Sequence, residues 1–495
     1  MEGRRQHRME KVRVSENGRY LETVSGKPLI WIADTAWTLP QRMKWDDAEY
    51  YMQTRKRQGF TVLQICALDP ERDVKMRNPA GEPALFGNDL SRPNEAYFRY
   101  LDQILDLAQS YGFYVLLLPV WGQLVTGDDW GGGVFEKIMT EENAYEYGCY
   151  IGNRYKDRTN LLWCLGGDRQ PIHKQMDYRP VWRKLAEGLA KGITGQDLQA
   201  QVPDPLWQDL MITYHSCHEM ETGECSTMSY WTDEEAWISF IMLQSGHGLN
   251  IKNWEIVKKE YDREKPLPVW DGEPAYEDMS TSWPITPETL FHGPDIVRKR
   301  AYWSLLAGAF GYTYGHANVW CMISEKERNQ VMRTDWYEAI HSEASSQIAF
   351  LRSFLEDLEA YNSIPCQEIL EKREETCEQQ HRQAAYVLHG KALAIYFTGS
   401  AQESLCLEGF APVGTTLYGW WYNPRDGKFY TAKGTETTDP FYGEVPSGRL
   451  HITTPQADPE EDWILLLRKD SPEIPIRQKT YYQDAETGQE KKVFA

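Results

Sequence analysis

Between residue 28 and about residue 320 one pattern recurs eight times: a short apolar run, then an amphipathic stretch of helical length. The runs are "PLIWIADTAW" (28–37), "TVLQICAL" (61–68), "YVLLLPVW" (114–121), "NLLWCLGG" (160–167), "LMITYH" (210–215), "ISFIMLQSGH" (238–247), "PLPVWDGE" (266–273) and "GAFGYTYGH" (308–316). Segments between them, such as 46–58 and 95–111, space their apolar residues for one helix face, and Gly59 and Gly112 stand as helix stops. Such alternation argues for βα units around a parallel sheet. Eight units in roughly 300 residues predict an α/β fold, a closed (β/α)8 TIM barrel, with an open doubly wound sheet as the alternative. No G-x-G-x-x-G follows the first run, so nothing points to a dinucleotide, and no cofactor is expected.

From about residue 361 the texture changes to β-rich runs, "AAYVLHGKALAIYF", "TTLYGWWYNPRDGKFY" and "DWILLLRKD", punctuated by Asn-Pro, Asp-Gly and Ser-Gly. The expected organisation is a β-rich lead-in (1–27), a catalytic barrel (28–360), a C-terminal all-β sandwich (361–470) and a polar tail over the surface (471–495). One long amphipathic helix is expected over 333–358, closing the barrel.

A formal charge of -20 makes nucleic acid a poor partner, because phosphate binding needs clustered Lys and Arg. No apolar stretch is long enough to span a bilayer and no signal-peptide pattern follows the basic start, so a cytoplasmic protein without membrane contact is expected. The cysteine count, 9, is odd and includes no C-x-x-C pair, which fits reduced thiols in a cytosol. Nothing in the sequence sets the oligomeric state.

In a barrel the chemistry gathers where the strands end and the βα loops form a mouth. The eight expected strand ends supply Asp34 and Trp37, Gln64, Trp121, Asp168, His215, Gln244 and His247, Glu273 and Tyr276, and His316 and Trp320. Aromatic faces among carboxylates, imidazoles and amides make a wall on which a sugar ring stacks while its hydroxyls are held. On this reading Trp37, Trp121 and Trp320 stack, and Asp34, Gln64, His215, Gln244, His247, Tyr276 and His316 bind substrate. The expected partner is an oligosaccharide or glycoside.

Asp168 and Glu273 stand apart. They follow the fourth and seventh strands, which face each other across the mouth of an eight-stranded barrel. Glycosidic cleavage needs two carboxylates: one protonates the leaving oxygen, the other attacks the anomeric carbon or activates water. In "PVWDGEPAYED", Asp271 is expected to point away from the mouth by strand alternation, and Glu277 and Asp278 to serve as caps or ion-pair partners. No metal site is expected, since His215 and His218 in "YHSCHEM" lack the helical H-E-x-x-H spacing. A site of His215, His247 and His316 defines a metal-dependent alternative, and a barrel that binds sugar without turnover is the other. No G-x-S-x-G elbow supports a serine hydrolase.

The stretches "WIADTAW" (31–37), "LQSGH" (243–247), "DGEPAYE" (271–277), "FGYTYGHANVW" (310–320) and "WWYNPRDGKFY" (420–430) resemble the apiosidase-like glycoside hydrolases of the family 140 kind. The resemblance implies a barrel followed by a β-sandwich, hydrolysis of a terminal glycosidic bond, Asp168 as acid/base and Glu273 as nucleophile. Family members of this kind release apiose from a branched pectic side chain. The fifth loop, "YHSCHEMETGECSTMSY", and "GHANVWC" depart from the family pattern at the mouth, where the sugar is chosen.

Overall fold

Eight parallel strands lie within or beside the eight apolar runs: β1 (Trp31–Thr35), β2 (Val62–Cys66), β3 (Tyr114–Leu118), β4 (Leu161–Gly166), β5 (Ile212–His215), β6 (Ile241–Leu243), β7 (Val269–Asp271) and β8 (Gly311–Tyr314). They hydrogen-bond in the order β6-β7-β8-β1-β2-β3-β4-β5. A parallel bridge from Ile212 to Ile238, with Ser239 N–H donating to the Ile212 carbonyl at 2.8 Å, joins β5 to the segment leading into β6. The ring is thereby a (β/α)8 barrel. This computed structural model describes residues 9–70, 76–128, 135–371, 380–399, 402–444, 448–455, 461–469, 471–477, 479 and 481.

Strand parity sorts the side chains. In β1, Trp31 and Ala33 pack inside the barrel with Val62, Leu116, Leu162 and Trp270, whereas Ile32 joins the layer between strands and helices. At the N-terminal end of the barrel, Trp31 packs against Trp270, Phe310 and Phe240 with ring centroids 5.0, 5.6 and 6.1 Å apart. The antiparallel hairpin Val12–Val14 with Leu21–Thr23 adds Val12 and Leu21 to the same cluster. The barrel is therefore filled at its base, and space for a ligand is left to the opposite face.

The C-terminal unit is a β-sandwich. One sheet runs Ile364–Pro365, Gln383–Val387, Ala392–Thr398, Asp462–Arg468, Thr416–Asn423 and Lys428–Tyr430, and a second pairs Gln402–Cys406 with Arg449–Thr453. Alternation explains the aromatic run at 420–422: Trp421 faces Phe397 inside the sandwich, while Trp420 and Tyr422 pack with the barrel's helical layer. Across that interface Arg298, on the helix Pro294–Leu306, donates to both carboxylate oxygens of Asp462, each at 3.0 Å. Tyr396 donates to the same carboxylate at 2.7 Å and Arg425 at 3.2 Å.

Two expectations are corrected here. The single helix over 333–358 is two, Trp336–Ala339 and Glu343–Asp357. The break has a cause: the Ile340 carbonyl receives Arg55 Nη1 at 3.0 Å and Gln58 Nε2 at 2.9 Å instead of continuing a ladder. Part of the polar tail is docked rather than trailing, since Tyr481 bonds Ser353 at 2.6 Å and Lys479 bonds Glu356 at 2.8 Å. The rest of that tail lies outside the described residues. Among the described residues no helix is long and apolar enough to cross a membrane.

Removing one partner from a buried ion pair strands the other charge, at a cost of about 3–5 kcal/mol. Asp462→Ala should therefore lower the free energy of urea unfolding by about that amount. A loss under about 1 kcal/mol would mean that water screens the pair.

Candidate active site

The fourth loop is shaped by two glycines. Gly166 and Gly167 have φ of 85° and 108°, and a Cβ on Gly166 would meet the His215 carbonyl at 2.3 Å. This close turn brings Asp168, itself left-handed at φ 56°, beside β5, where its backbone N–H lies 3.0 Å from His215 Nδ1. Aspartate tolerates that conformation better than most residues. The other ring nitrogen, His215 Nε2, is 2.8 Å from Glu273 Oε2 at the end of β7. One imidazole thus touches the main chain of Asp168 and the carboxylate of Glu273.

His215 is fully buried, flanked by Trp37 and Trp121 at centroid distances of 5.4 and 5.7 Å. Its Nδ1 is also 2.7 Å from the Ser216 carbonyl. The neutral ring accepts from Asp168 N–H, and the charged ring donates to Ser216; in both forms Nε2–H faces Glu273. Burial works against the charge, but the Glu273 hydrogen bond and carboxylate raise the imidazole's proton affinity overall.

The two carboxyls are driven apart. Burial and the nearby Glu273 charge push Asp168 above the usual carboxylate range, although Arg169, His215 and a 2.6 Å bond from Gln244 Nε2 oppose the shift. Burial also penalises Glu273, yet hydrogen bonds from His215 and His247 hold it well below that range. His247 Nε2 lies 3.4 Å from Glu273 Oε1. Asp168 thus holds its proton more tightly than an ordinary carboxyl and Glu273 less tightly, and the charge of Glu273 is felt at Asp168.

Polar groups at the mouth await partners. Tyr276 Oη, His247 Nδ1 and Trp320 Nε1 are buried without a hydrogen bond among the described residues. The Tyr276 ring packs on His247 at 4.5 Å, and Trp320 packs against Tyr276 and Met279. These are donors and an apolar face arranged for a hydroxylated ring.

Four expected substrate ligands are otherwise engaged. Asp34 lies on the outer face of β1, fully buried, where it accepts from Arg55 Nε at 2.6 Å and Tyr51 Oη at 2.5 Å. Parity sends Thr35, not Asp34, inward. Gln64 points inward but is fully buried and spends its amide within the barrel, donating to the Gly272 carbonyl at 3.1 Å. His215 has both nitrogens occupied as described. Gln244 is consumed at both ends, since its Oε1 receives the His218 N–H at 2.6 Å while Nε2 serves Asp168. His316 lies at the mouth, buried, with Nδ1 accepting from Asn318 N–H at 3.1 Å. Burial pushes its ring down to about 3, so it stays neutral. Among the described residues no group of three or more His, Cys, Asp and Glu is arranged to hold a metal ion.

The other acids of "PVWDGEPAYED" behave as alternation suggests. Asp271 accepts from Ser245 Oγ at 2.7 Å away from the pocket, Glu277 accepts Tyr314 Oη and the Ala344 N–H, and Asp278 pairs with Arg333. The reading of the mouth missed Arg169. It is buried beside Asp168, whose carbonyl it binds at 2.6 Å, and it is paired with Asp128 at 3.3 Å. Its adjacency to Asp168 was the signal that could have found it.

The model of the apiosidase-like catalytic domain matches residues 15–362, most of the chain. The chain belongs to the apiosidase-like family. Among solved structures, a glycoside hydrolase is similar at 25% identity and a TM-score of 0.76, over 96% of this chain and 98% of that one. A family 5 glycoside hydrolase from Bacteroides vulgatus shares the fold at 24% identity and a TM-score of 0.76, over 96% of this chain and 94% of that one. No curated protein matches the sequence. As a member of the apiosidase-like family the chain is a glycosidase.

His215→Phe keeps a ring between Trp37 and Trp121 while removing the donor to Glu273. Carboxyl-carbon NMR titration should then show the Glu273 pKa moving upward, and an unchanged value would refute the imidazole's role.

Proposed function

We propose that this apiosidase-like glycosidase is retaining and exo-acting, of the family 140 kind, and removes a terminal sugar from a plant-type pectic oligosaccharide, with apiose as the candidate sugar. Asp168 is the acid/base and Glu273 the nucleophile. The observation that carries this is the opposite displacement of the two carboxyls: Asp168 raised, Glu273 lowered, around one shared imidazole.

The sequence of steps follows from that poise. Protonated Asp168 donates to the glycosidic oxygen as the bond to the anomeric carbon breaks, and Glu273 attacks that carbon. Asp168, now ionised, takes a proton from water, whose oxygen displaces Glu273 and releases the sugar with the original configuration. Retention requires the carboxyls about 5–5.5 Å apart, and the effect of the Glu273 charge on Asp168 supports a close pair. Tyr276, His247 and Trp320 supply contacts to hydroxyls and ring. The distinctive fifth loop carries His218, which abuts this pocket through Gln244. The eight free cysteines among the described residues fit a reducing compartment, which supports a cytoplasmic site of action.

Turnover needs Glu273 ionised and Asp168 protonated. The rate should hold on the acid side, because Glu273 loses its charge only well below the ordinary carboxylate range. It should fall as pH rises through the raised Asp168 pKa. A kcat/KM profile rising instead with pH would reverse the roles.

On aryl glycosides of pentoses and hexoses, Glu273→Gln should lose at least about a thousandfold in kcat with sugar binding intact. Asp168→Asn should lose about 10²–10⁴-fold on unactivated leaving groups and much less on dinitrophenyl glycosides. Proton NMR of the first-formed anomer reads the stereochemistry. Full activity in Glu273→Gln would remove the proposal.

A further inference from the structure

Gln244 directly follows β6 and is 5% exposed. Its own N–H donates to the Cys225 carbonyl at 2.9 Å, so the main chain that carries it is pinned to the fifth loop. Its side chain bridges that loop to the strand-four acid: Oε1 accepts the His218 N–H and Nε2 donates to Asp168 Oδ1, each at 2.6 Å.

These partners leave the amide one orientation. A backbone N–H can only donate, so the oxygen of Gln244 faces His218 and the NH2 group faces Asp168. That NH2 group can only donate in turn, so Asp168 Oδ1 accepts, as the carbonyl oxygen of a neutral carboxyl does and its hydroxyl does poorly. The other oxygen, Oδ2, lies 3.8 Å from Arg169 Nη1, beyond hydrogen-bond reach.

Resting on the acid/base reading above, we infer that Gln244 is a positioning residue that keeps the transferable proton of Asp168 on Oδ2. The proton leaves Oδ2 for the glycosidic oxygen as the bond to the anomeric carbon breaks, and Oδ2 takes the next proton from water. Through both steps Oδ1 holds the same bond to Gln244, so the carboxyl has no need to turn between giving and taking. Glu273, Arg169 and His215 are the charged or titratable groups that act on Asp168 beside this amide, and Cys217 and Tyr276 feel its charge. The amide's bond favours the ionised carboxyl, so its loss would raise the proton affinity of Asp168 further.

Two variants separate this role from a merely structural one. Gln244→Glu keeps the shape and an acceptor for the His218 N–H but sets an acid against Oδ1, where a proton shared by the pair is then held. Gln244→Met loses both bonds and leaves Oδ2 able to carry the proton. On phenyl glycosides of pentoses and hexoses, kcat/KM at the wild-type optimum should fall about a hundredfold or more in Gln244→Glu and about tenfold or less in Gln244→Met. Dinitrophenyl glycosides, which need no acid, should be nearly unaffected in both. A structural role predicts the reverse order, because methionine loses more contacts. The Gln244→Glu loss should also recover as pH falls and a second proton binds the pair, since the introduced carboxyl then donates to Oδ1 as the amide did.

Carboxyl-carbon NMR needs no substrate: Asp168 should titrate at higher pH in Gln244→Met than in wild type. An unmoved titration, or a phenyl glycoside rate lower in Gln244→Met than in Gln244→Glu, would overturn the inference. Asp168→Asn reads the acid/base assignment by itself. A retained phenyl glycoside rate there would take both readings down, whereas its loss together with full activity in Gln244→Glu would remove the placement of the proton alone.

Discussion

His215 sits where two requirements of the site meet. A buried carboxylate is costly unless hydrogen bonds and opposite charge compensate it, and Glu273 obtains both from imidazoles. The same ring's other nitrogen lies 3.0 Å from the backbone N–H of Asp168, which it accepts when the ring is neutral. Trp37 and Trp121 leave the ring little freedom to rotate. A mobile imidazole would release the Glu273 charge and the Asp168 turn together. The packing of β1, β3 and β5 around this ring is thus tied to the electrostatics of β4 and β7.

The order of the strands makes this economical. β4 and β5 are neighbours, so Gly166 pairs directly with His215, and the glycine turn needs only two more residues to place Asp168 over the ring. Glu273 comes from β7, across the mouth, and needs an inward path that is not blocked. Gln64 supplies part of that path by bonding the Gly272 carbonyl from inside the barrel. A residue expected to grip sugar instead fixes the backbone that carries an acid.

Much of the fold was legible because barrel periodicity is written in runs of five or six apolar residues, and the runs need no partner to be seen. The position of the acids was legible for the same reason: each follows a strand. Strand parity was harder to read. Asp34 and Thr35 are consecutive, and only the register of β1 against β8 and β2 decides which faces the lumen. Trp163, a natural choice for burying Asp168, lies in the outer layer near Tyr155, so Trp121 is the tryptophan that closes over the fourth loop. Gln244 and His215 sit at the expected mouth, but a sequence cannot say whether an amide or imidazole will be taken by a neighbouring side chain before any ligand arrives.

The sandwich connects to the site through a chain of buried charges. Glu277, four residues after Glu273, accepts the Ala344 N–H in the first turn of the helix Glu343–Asp357, where an anion also meets the helix dipole. That helix supplies Gln347 to Arg298, and Arg298 is held by Asp462 of the sandwich. Each contact is a buried polar group with a specific partner, so none can slide without leaving a charge unpaired. The loop that carries Glu273, the proposed nucleophile, is thereby anchored four residues from that carboxylate. The C-terminal domain thus contacts, through Asp462 and Arg298, the helix whose first turn binds Glu277, four residues from Glu273.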